Sequence, residues 1–206
     1  MNTRSCRFLL SAAEPRDVPR GAWPRVAFVG RSNVGKSSLL NRLVGTDAAR
    51  TSRTPGRTRL VNCFLVDERL LLLDLPGYGW AKGPEAERVS WKRLAEGCLR
   101  DRGGVDLALV LLDARHEPSD LDRAMIAWLE SEEISWRPVA TKWDKLNLKE
   151  RAAALRRFTA LGAERAGAPF LATSARSAQG IPELWKEIHA ADGKRAADRP
   201  REQRRA

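Results

Sequence analysis

Val26-Ala27-Phe28-Val29-Gly30-Arg31-Ser32-Asn33-Val34-Gly35-Lys36-Ser37-Ser38 is the stretch that decides the fold. Its first four residues form an apolar run of strand length, and from Gly30 onward it fits G-x-x-x-x-G-K-[ST]. Leu39, Leu40 and Leu43 then recur at helical spacing. Strand, glycine-bounded loop and helix in this order predict a phosphate site. The loop amides and the helix N-terminus present positive partial charge to a polyphosphate. Lys36 has the reach for the β- and γ-phosphates, and the Ser37 hydroxyl is a ligand for Mg²⁺. A Gly/Ser-rich turn that matches by accident would lack the flanking strand and helix.

Three further motifs follow in the order a guanine-nucleotide switch requires. Asp74-Leu75-Pro76-Gly77 ends the run Leu70-Leu71-Leu72-Leu73, placing a carboxylate at the carboxyl end of a buried strand, where ligands bind in open α/β sheets. Asp74 is positioned to hold Mg²⁺ through water and the Gly77 amide to meet the γ-phosphate. D-x-x-G alone is weak, because aspartate and glycine mark turns everywhere. Its place after a phosphate loop makes it strong. Thr141-Lys142-Trp143-Asp144 closes a β-rich stretch over residues 134–140. The Asp144 carboxylate can accept two hydrogen bonds from the guanine edge, and adenine offers no such pair of donors. Lys142 would pack its stem over the base. Trp143 lies inside the motif with no contact to base edges expected of its side chain. Most GTPases carry asparagine where this chain has Thr141. After Phe170-Leu171-Ala172 come Thr173-Ser174-Ala175, where the Ala175 amide is a donor for the guanine carbonyl, a motif that counts only by position. Between the first helix and the strand from Leu60 to Val66, Thr51-Ser52-Arg53-Thr54-Pro55-Gly56-Arg57-Thr58-Arg59 has no apolar periodicity. A threonine of such a loop can ligate Mg²⁺ when a γ-phosphate is present, and on chemistry alone Thr51, Thr54 and Thr58 are rivals.

G-R-S-N-V-G-K-S-S, T-P-G-R-T, D-L-P-G-Y-G-W-A-K and T-K-W-D, in that order, closely resemble the EngB (YsxC/YihA) family of bacterial GTPases, over roughly residues 8 to 190. In that family Thr141 is usual, as is Tyr78-Gly79, and the P-G-[RK]-T loop favours Thr58 as the Mg²⁺ ligand beside Ser37. The resemblance implies nucleotide contacts from Gly30 through Ser37, from Gly56, Arg57, Thr58, Arg59 and Leu60, from Asp74 through Gly77, from Thr141 through Asp144, and from Thr173, Ser174 and Ala175. It implies catalytic parts for Lys36, Thr58 and Asn33, the last resembling the asparagine through which some GTPases bind K⁺. It further implies a monomer in the cytoplasm that binds the large ribosomal subunit late in its assembly and is needed for growth and normal septum formation. A regulatory GTPase acting on a non-ribosomal cell-division partner is the alternative.

Length and pattern agree. About two hundred residues suit one α/β domain. Strand-like runs at 25–29, 60–66, 69–74, 107–113, 134–140 and 169–173 alternate mostly with helical patterns near 36–44, 85–101, 119–131, 148–162 and 181–191. The pair 60–66 and 69–74, joined by Asp67-Glu68, reads as a hairpin. The expectation is a P-loop three-layer α/β sandwich with a six-stranded, mostly parallel sheet and one antiparallel edge strand. Residues 1–22 read as an N-terminal extension, 23–191 as the GTPase domain and 192–206 as a basic, unstructured tail.

The formal charge of +11 is large for this size. From Gly193 to Ala206, Lys194, Arg195, Arg199, Arg201, Arg204 and Arg205 oppose only Asp198 and Glu202, a composition that suits counterion release on nucleic acid or simple solubility. Cysteines at 6, 63 and 98 have no metal-like spacing and suit a reducing compartment. No apolar run reaches the roughly eighteen residues of a membrane span. Among seven tryptophans, Trp91, Trp128 and Trp185 fall on helical patterns, and Trp80 is a candidate partner contact. Tyr78 stands where small signalling GTPases carry the glutamine that orients water, so intrinsic hydrolysis should be slow. A membrane-linked signalling GTPase is disfavoured by the missing lipid motifs, and an ATP-using kinase by Asp144.

Overall fold

The computed structural model describes residues 5–21, 23–45, 60–78, 85–100, 104–163 and 170–198. The opening apolar run becomes β2 (Arg25–Gly30), in which all six residues are buried. It lies at the centre of the sheet between β4 (Leu70–Asp74) and β5 (Leu107–Asp113), parallel to both. A strand covered on both faces needs no alternation, which is why these three read as continuous apolar runs. β6 (Trp136–Thr141) and β7 (Leu171–Ala172) continue the parallel set on one side, and β3 (Val61–Val66) pairs antiparallel with β4 on the other. The β3–β4 turn has Asp67 at φ 50° and Glu68 at φ 52°, the primed geometry that matches strand twist in a two-residue hairpin.

A seventh strand corrects the expected count of six. β1 (Cys6–Ala12) pairs antiparallel with β3 and forms the edge, giving the order β1-β3-β4-β2-β5-β6-β7. The strand at 60–66 is therefore interior, and part of the segment read as an extension belongs to the sheet. The register of β1 shifts between Phe8 and Leu10, which erases the period-two pattern that would mark a strand.

Pro138 sits within β6 without breaking it. The carbonyls of Ser135 and Thr141 accept from Ala108 and Ala114, so odd-numbered residues turn their polar groups to β5. Pro138 faces the other side, where among the described residues β7 pairs only with Val139 and Ala140, so no described ladder bond needs its missing N–H.

Among the described residues, five α-helices cover the faces: α1 (Lys36–Val44), α2 (Glu85–Arg100), α3 (Asp120–Ser131), α4 (Leu148–Ala163) and α5 (Ile181–Asp198). One core joins α1 and α5 to Val26, Phe28, Leu109 and Leu111, and the other joins α2, α3 and α4 to Ala27, Val29, Leu73 and Val110. Alternate residues of the central strands thus serve opposite layers. Helix α5 carries on through Asp198, into the stretch expected to be unstructured. Extending a formed helix costs far less than nucleating one, and Ala, Lys and Arg are good helix formers.

Candidate functional site

The carboxyl ends of β2, β4, β5 and β6 meet at one end of the sheet, and the sequence-predicted residues converge there. Gly35 caps α1 at φ 105°, a left-handed conformation that a side chain would strain, and its carbonyl accepts the Leu39 N–H at 2.9 Å. Asn33 also lies in the left-handed region, at φ 64°, which asparagine tolerates. The loop is thus held open as a turn over the N-terminus of α1, whose backbone donors have no intrahelical acceptors.

Lys36 and Asp74 are brought together inside this turn. The ammonium pairs directly with Asp74 Oδ1, the two residues being 9% and 2% exposed. Each meets here the charge that a bound polyphosphate and its counter-ion would otherwise supply: phosphate for the lysine, a divalent cation for the carboxylate. The Ser37 hydroxyl and the Asp74 carboxylate are hard oxygen donors of the kind Mg²⁺ accepts. Ser37 would bind such an ion directly and Asp74 through a water, which leaves other positions to phosphate oxygens and water. Among the described residues no cluster of three or more His, Cys, Asp or Glu could hold a metal without a ligand's help. Thr58, Gly56, Arg57 and Arg59 lie outside the described residues, as does Trp80, while Leu60 is exposed just before β3.

The second half of the site is built on β6. The Thr141 hydroxyl lies 2.7 Å from the Val34 carbonyl and 3.1 Å from that of Leu112, a buried tie between the phosphate loop and two strands. Lys142, at φ 58°, turns its stem over Gly35 and donates from Nζ to the Asn33 carbonyl at 2.7 Å and to Asp113 Oδ2 at 2.9 Å. Trp143 is buried and tilts against Phe170 at 5.8 Å, so its side chain belongs to the core. The Trp143 amide donates to the Thr173 carbonyl at 3.1 Å and the Thr173 amide to Ala140 at 2.7 Å, which seats the Thr173-Ser174-Ala175 loop beside Asp144. The Ser174 hydroxyl then donates to Asp144 Oδ1 at 2.7 Å and orients that carboxylate.

Asp113 is a site residue that the motifs do not announce. Burial works against its charge, but donors from Arg115 and Lys142 outweigh this and hold the carboxyl far below the usual carboxylate range. It therefore stays ionised and fixes the Lys142 ammonium. The available signal was its position: like Asp74, it closes an apolar strand at the carboxyl end of the sheet. A cavity of about 240 Å³ lies alongside, lined by Arg31, Ser32, Asn33, Asp113, Arg115 and Lys142 among others. A larger one of about 650 Å³, near Val105 and Ile134, lies at the opposite end of the strands and contains none of the predicted site residues.

A central parallel sheet, a phosphate loop on β2, a D-x-x-G carboxylate against its lysine and a T-K-x-D loop clamped onto both define a P-loop GTPase. The family model described as a 50S ribosome-binding GTPase matches residues 25–142. The probable GTP-binding protein EngB of Pelotomaculum thermopropionicum is 43% identical over 189 residues, covering 91% of this chain and 96% of that one. Its counterpart in Pelobacter propionicus is 45% identical over 192 residues, 91% of this chain and 94% of that one. A solved structure of Era in complex with MgGDPNP and nucleotides 1506-1542 of 16S ribosomal RNA superposes with a TM-score of 0.65 at 25% identity, over 82% of this chain and 56% of that one. The chain belongs to the EngB family, and it is a GTP-binding, GTP-hydrolysing enzyme.

Proposed function

We propose that this GTPase works as a switch in late assembly of the large ribosomal subunit, as a cytoplasmic monomer whose loss impairs growth and septum formation. The observation that carries this reading is the match of the 50S ribosome-binding GTPase model to residues 25–142, which include the phosphate loop, Asp74 and Thr141-Lys142. The formal charge of +11 suits a polyanionic partner, and no described helix is long and apolar enough to cross a membrane.

The phosphate loop from Gly30 to Ser37 and the N-terminus of α1 receive the phosphates, with Lys36 transferring from Asp74 to the β- and γ-phosphates. Ser37 and Thr58 would hold Mg²⁺ directly and Asp74 through water, and the ion would supply charge neutralisation for the phosphates. Gly56, Arg57, Arg59 and Leu60 flank Thr58 in the loop that meets the nucleotide, and Leu75 and Pro76 lead the Gly77 amide to the γ-phosphate. Asp144, oriented by Ser174, reads the guanine edge, with the Ala175 amide on its carbonyl and Lys142 over its face. Trp143 contributes backbone only.

Sedimentation with ribosomal subunits tests the partner. Large subunits should retain the protein more strongly with a GTP analogue than with GDP, because loops ordered by the γ-phosphate offer a fixed surface. Removing residues 192–206 should flatten the salt dependence of binding and leave the analogue-over-GDP ratio unchanged. Equal retention on large subunits and on bare RNA would move the reading to a non-ribosomal cell-division partner.

Asn33 also marks the place for a K⁺ ion that would stand where other GTPases use an arginine finger. Turnover should then be faster in KCl than in NaCl at equal ionic strength. Asn33→Gly, which suits the positive φ and removes the side chain, should abolish the difference. Equal rates in the two salts, with and without ribosomal particles, would leave Asn33 as a loop-geometry residue alone.

A further inference from the structure

We propose that Tyr78 is a positioning residue: it ties the segment after Asp74 to α3 and thereby sets how strongly the site prefers a triphosphate to a diphosphate. The inference rests on the Gly77–γ-phosphate reading given above and adds what holds that amide in place.

Tyr78 is fastened through both its backbone and its side chain. Its N–H donates to the Gly30 carbonyl at 3.1 Å, and its carbonyl accepts the Ser32 N–H at 3.0 Å, a parallel bridge that carries the β4–β2 pairing into the phosphate loop. Gly77 is consequently flush against that loop, and a Cβ there would lie 2.8 Å from the Ser32 nitrogen. The Tyr78 hydroxyl donates to Asp122 Oδ1 at 2.7 Å, with the two residues only 5% and 4% exposed. Burial, and after it the Asp122 charge, push the phenol upward, so it remains a neutral donor at physiological pH. Asp122 is itself fixed, because its Oδ2 accepts the Ser119 N–H at 2.8 Å and the Ser119 hydroxyl at 2.7 Å in the capping box of α3. From α2, the Trp91 indole N–H donates to the Pro76 carbonyl at 2.8 Å and its ring meets Tyr78 edge-on at 6.0 Å.

Two helices thus pre-set the backbone from Pro76 to Tyr78 before any γ-phosphate reaches Gly77. A diphosphate does not extend to that amide. Loosening the tie therefore adds an ordering cost to the triphosphate complex alone.

The test compares GTP-analogue and GDP affinities of the full chain, with Tm as the fold control. Tyr78→Phe, which keeps the ring on Trp91 and removes the bond to Asp122, should weaken the analogue about tenfold relative to GDP, as loss of a hydrogen bond to a charged group implies. Ser119→Ala removes one of the two donors on Asp122 Oδ2 but keeps the Ser119 N–H there and the Tyr78 bond on Oδ1, so it should lower Tm and shift the ratio far less than Tyr78→Phe. Asp122→Asn should stay near wild type, its amide oxygen facing Ser119 and its N–H₂ donating to the Tyr78 oxygen. A wild-type ratio in Tyr78→Phe, or an equal shift in Ser119→Ala, overturns the tie. If Tyr78→Phe does not fold, Trp91→Phe must shift the ratio in the same direction, and an unshifted ratio overturns the proposal equally. A wild-type protein that does not discriminate analogue from GDP overturns the γ-phosphate reading and the tie with it. Discrimination retained in the variants removes only the tie.

Discussion

Lys36→Ala should lose GTP affinity by on the order of a hundredfold or more if its charge-assisted contacts to the β- and γ-phosphates disappear together, and GDP affinity by less, since GDP offers only the β-phosphate. It should also be less stable. The Asp74 carboxylate would remain 2% exposed at the end of β4 with its cation gone. Breaking a buried pair from one side costs about 3–5 kcal/mol, or roughly 10 °C in Tm for a chain of this length. Asp74→Asn in the same molecule separates the two effects. The double variant should recover most of the Tm, because no buried charge is left unpaired, and none of the nucleotide affinity. Calorimetry with GDP and thermal melts of the wild type and the two variants measure this. A Lys36→Ala protein that melts like wild type would mean that the pair contributes nothing to the fold.

Asp144→Asn should lose GTP affinity by about 2–4 kcal/mol if its carboxylate accepts from two guanine donors, as loss of a charge-assisted bidentate contact implies. It should gain xanthosine triphosphate, whose carbonyl stands where guanine has its amino group. The Ser174 hydroxyl on Oδ1 gives this exchange a defined geometry. The variant's amide oxygen can keep that bond, which turns the new N–H₂ toward the base. Ser174→Ala should therefore blunt both the wild-type preference and its inversion, while leaving Lys142 on the Asn33 carbonyl undisturbed. Unchanged GTP affinity in Asp144→Asn would remove this residue from the base site.

Much of the site is legible because its chemistry is local. A phosphate loop needs consecutive backbone amides, small residues and a lysine at fixed spacing, so Gly30 to Ser37 carry their meaning in one short window. The buried strands β2, β4 and β5 are legible for a similar reason, since coverage on both faces demands unbroken apolar runs. Asp74 and Asp144 follow from their places at the ends of such runs. Asp113 has the same placement and no recognised motif around it, and its importance emerges only from what it touches.

Contacts between distant segments set the rest. β1 is a strand because β3 offers it an unpaired edge; its own residues, interrupted by the shift between Phe8 and Leu10, have no strand period. The sequence identifies Tyr78 as the residue standing where a glutamine would orient water. Only packing shows the ring turned inward to Asp122, forty-four positions further on. The pairing of Lys36 with Asp74 and the clamp of Thr141 and Lys142 on the phosphate loop likewise join segments tens to more than a hundred residues apart. Spacing along the chain determined which groups this protein has for binding a nucleotide. The sheet, by bringing the carboxyl ends of its central strands to one end, decided which of those groups meet and which charges neutralise one another there.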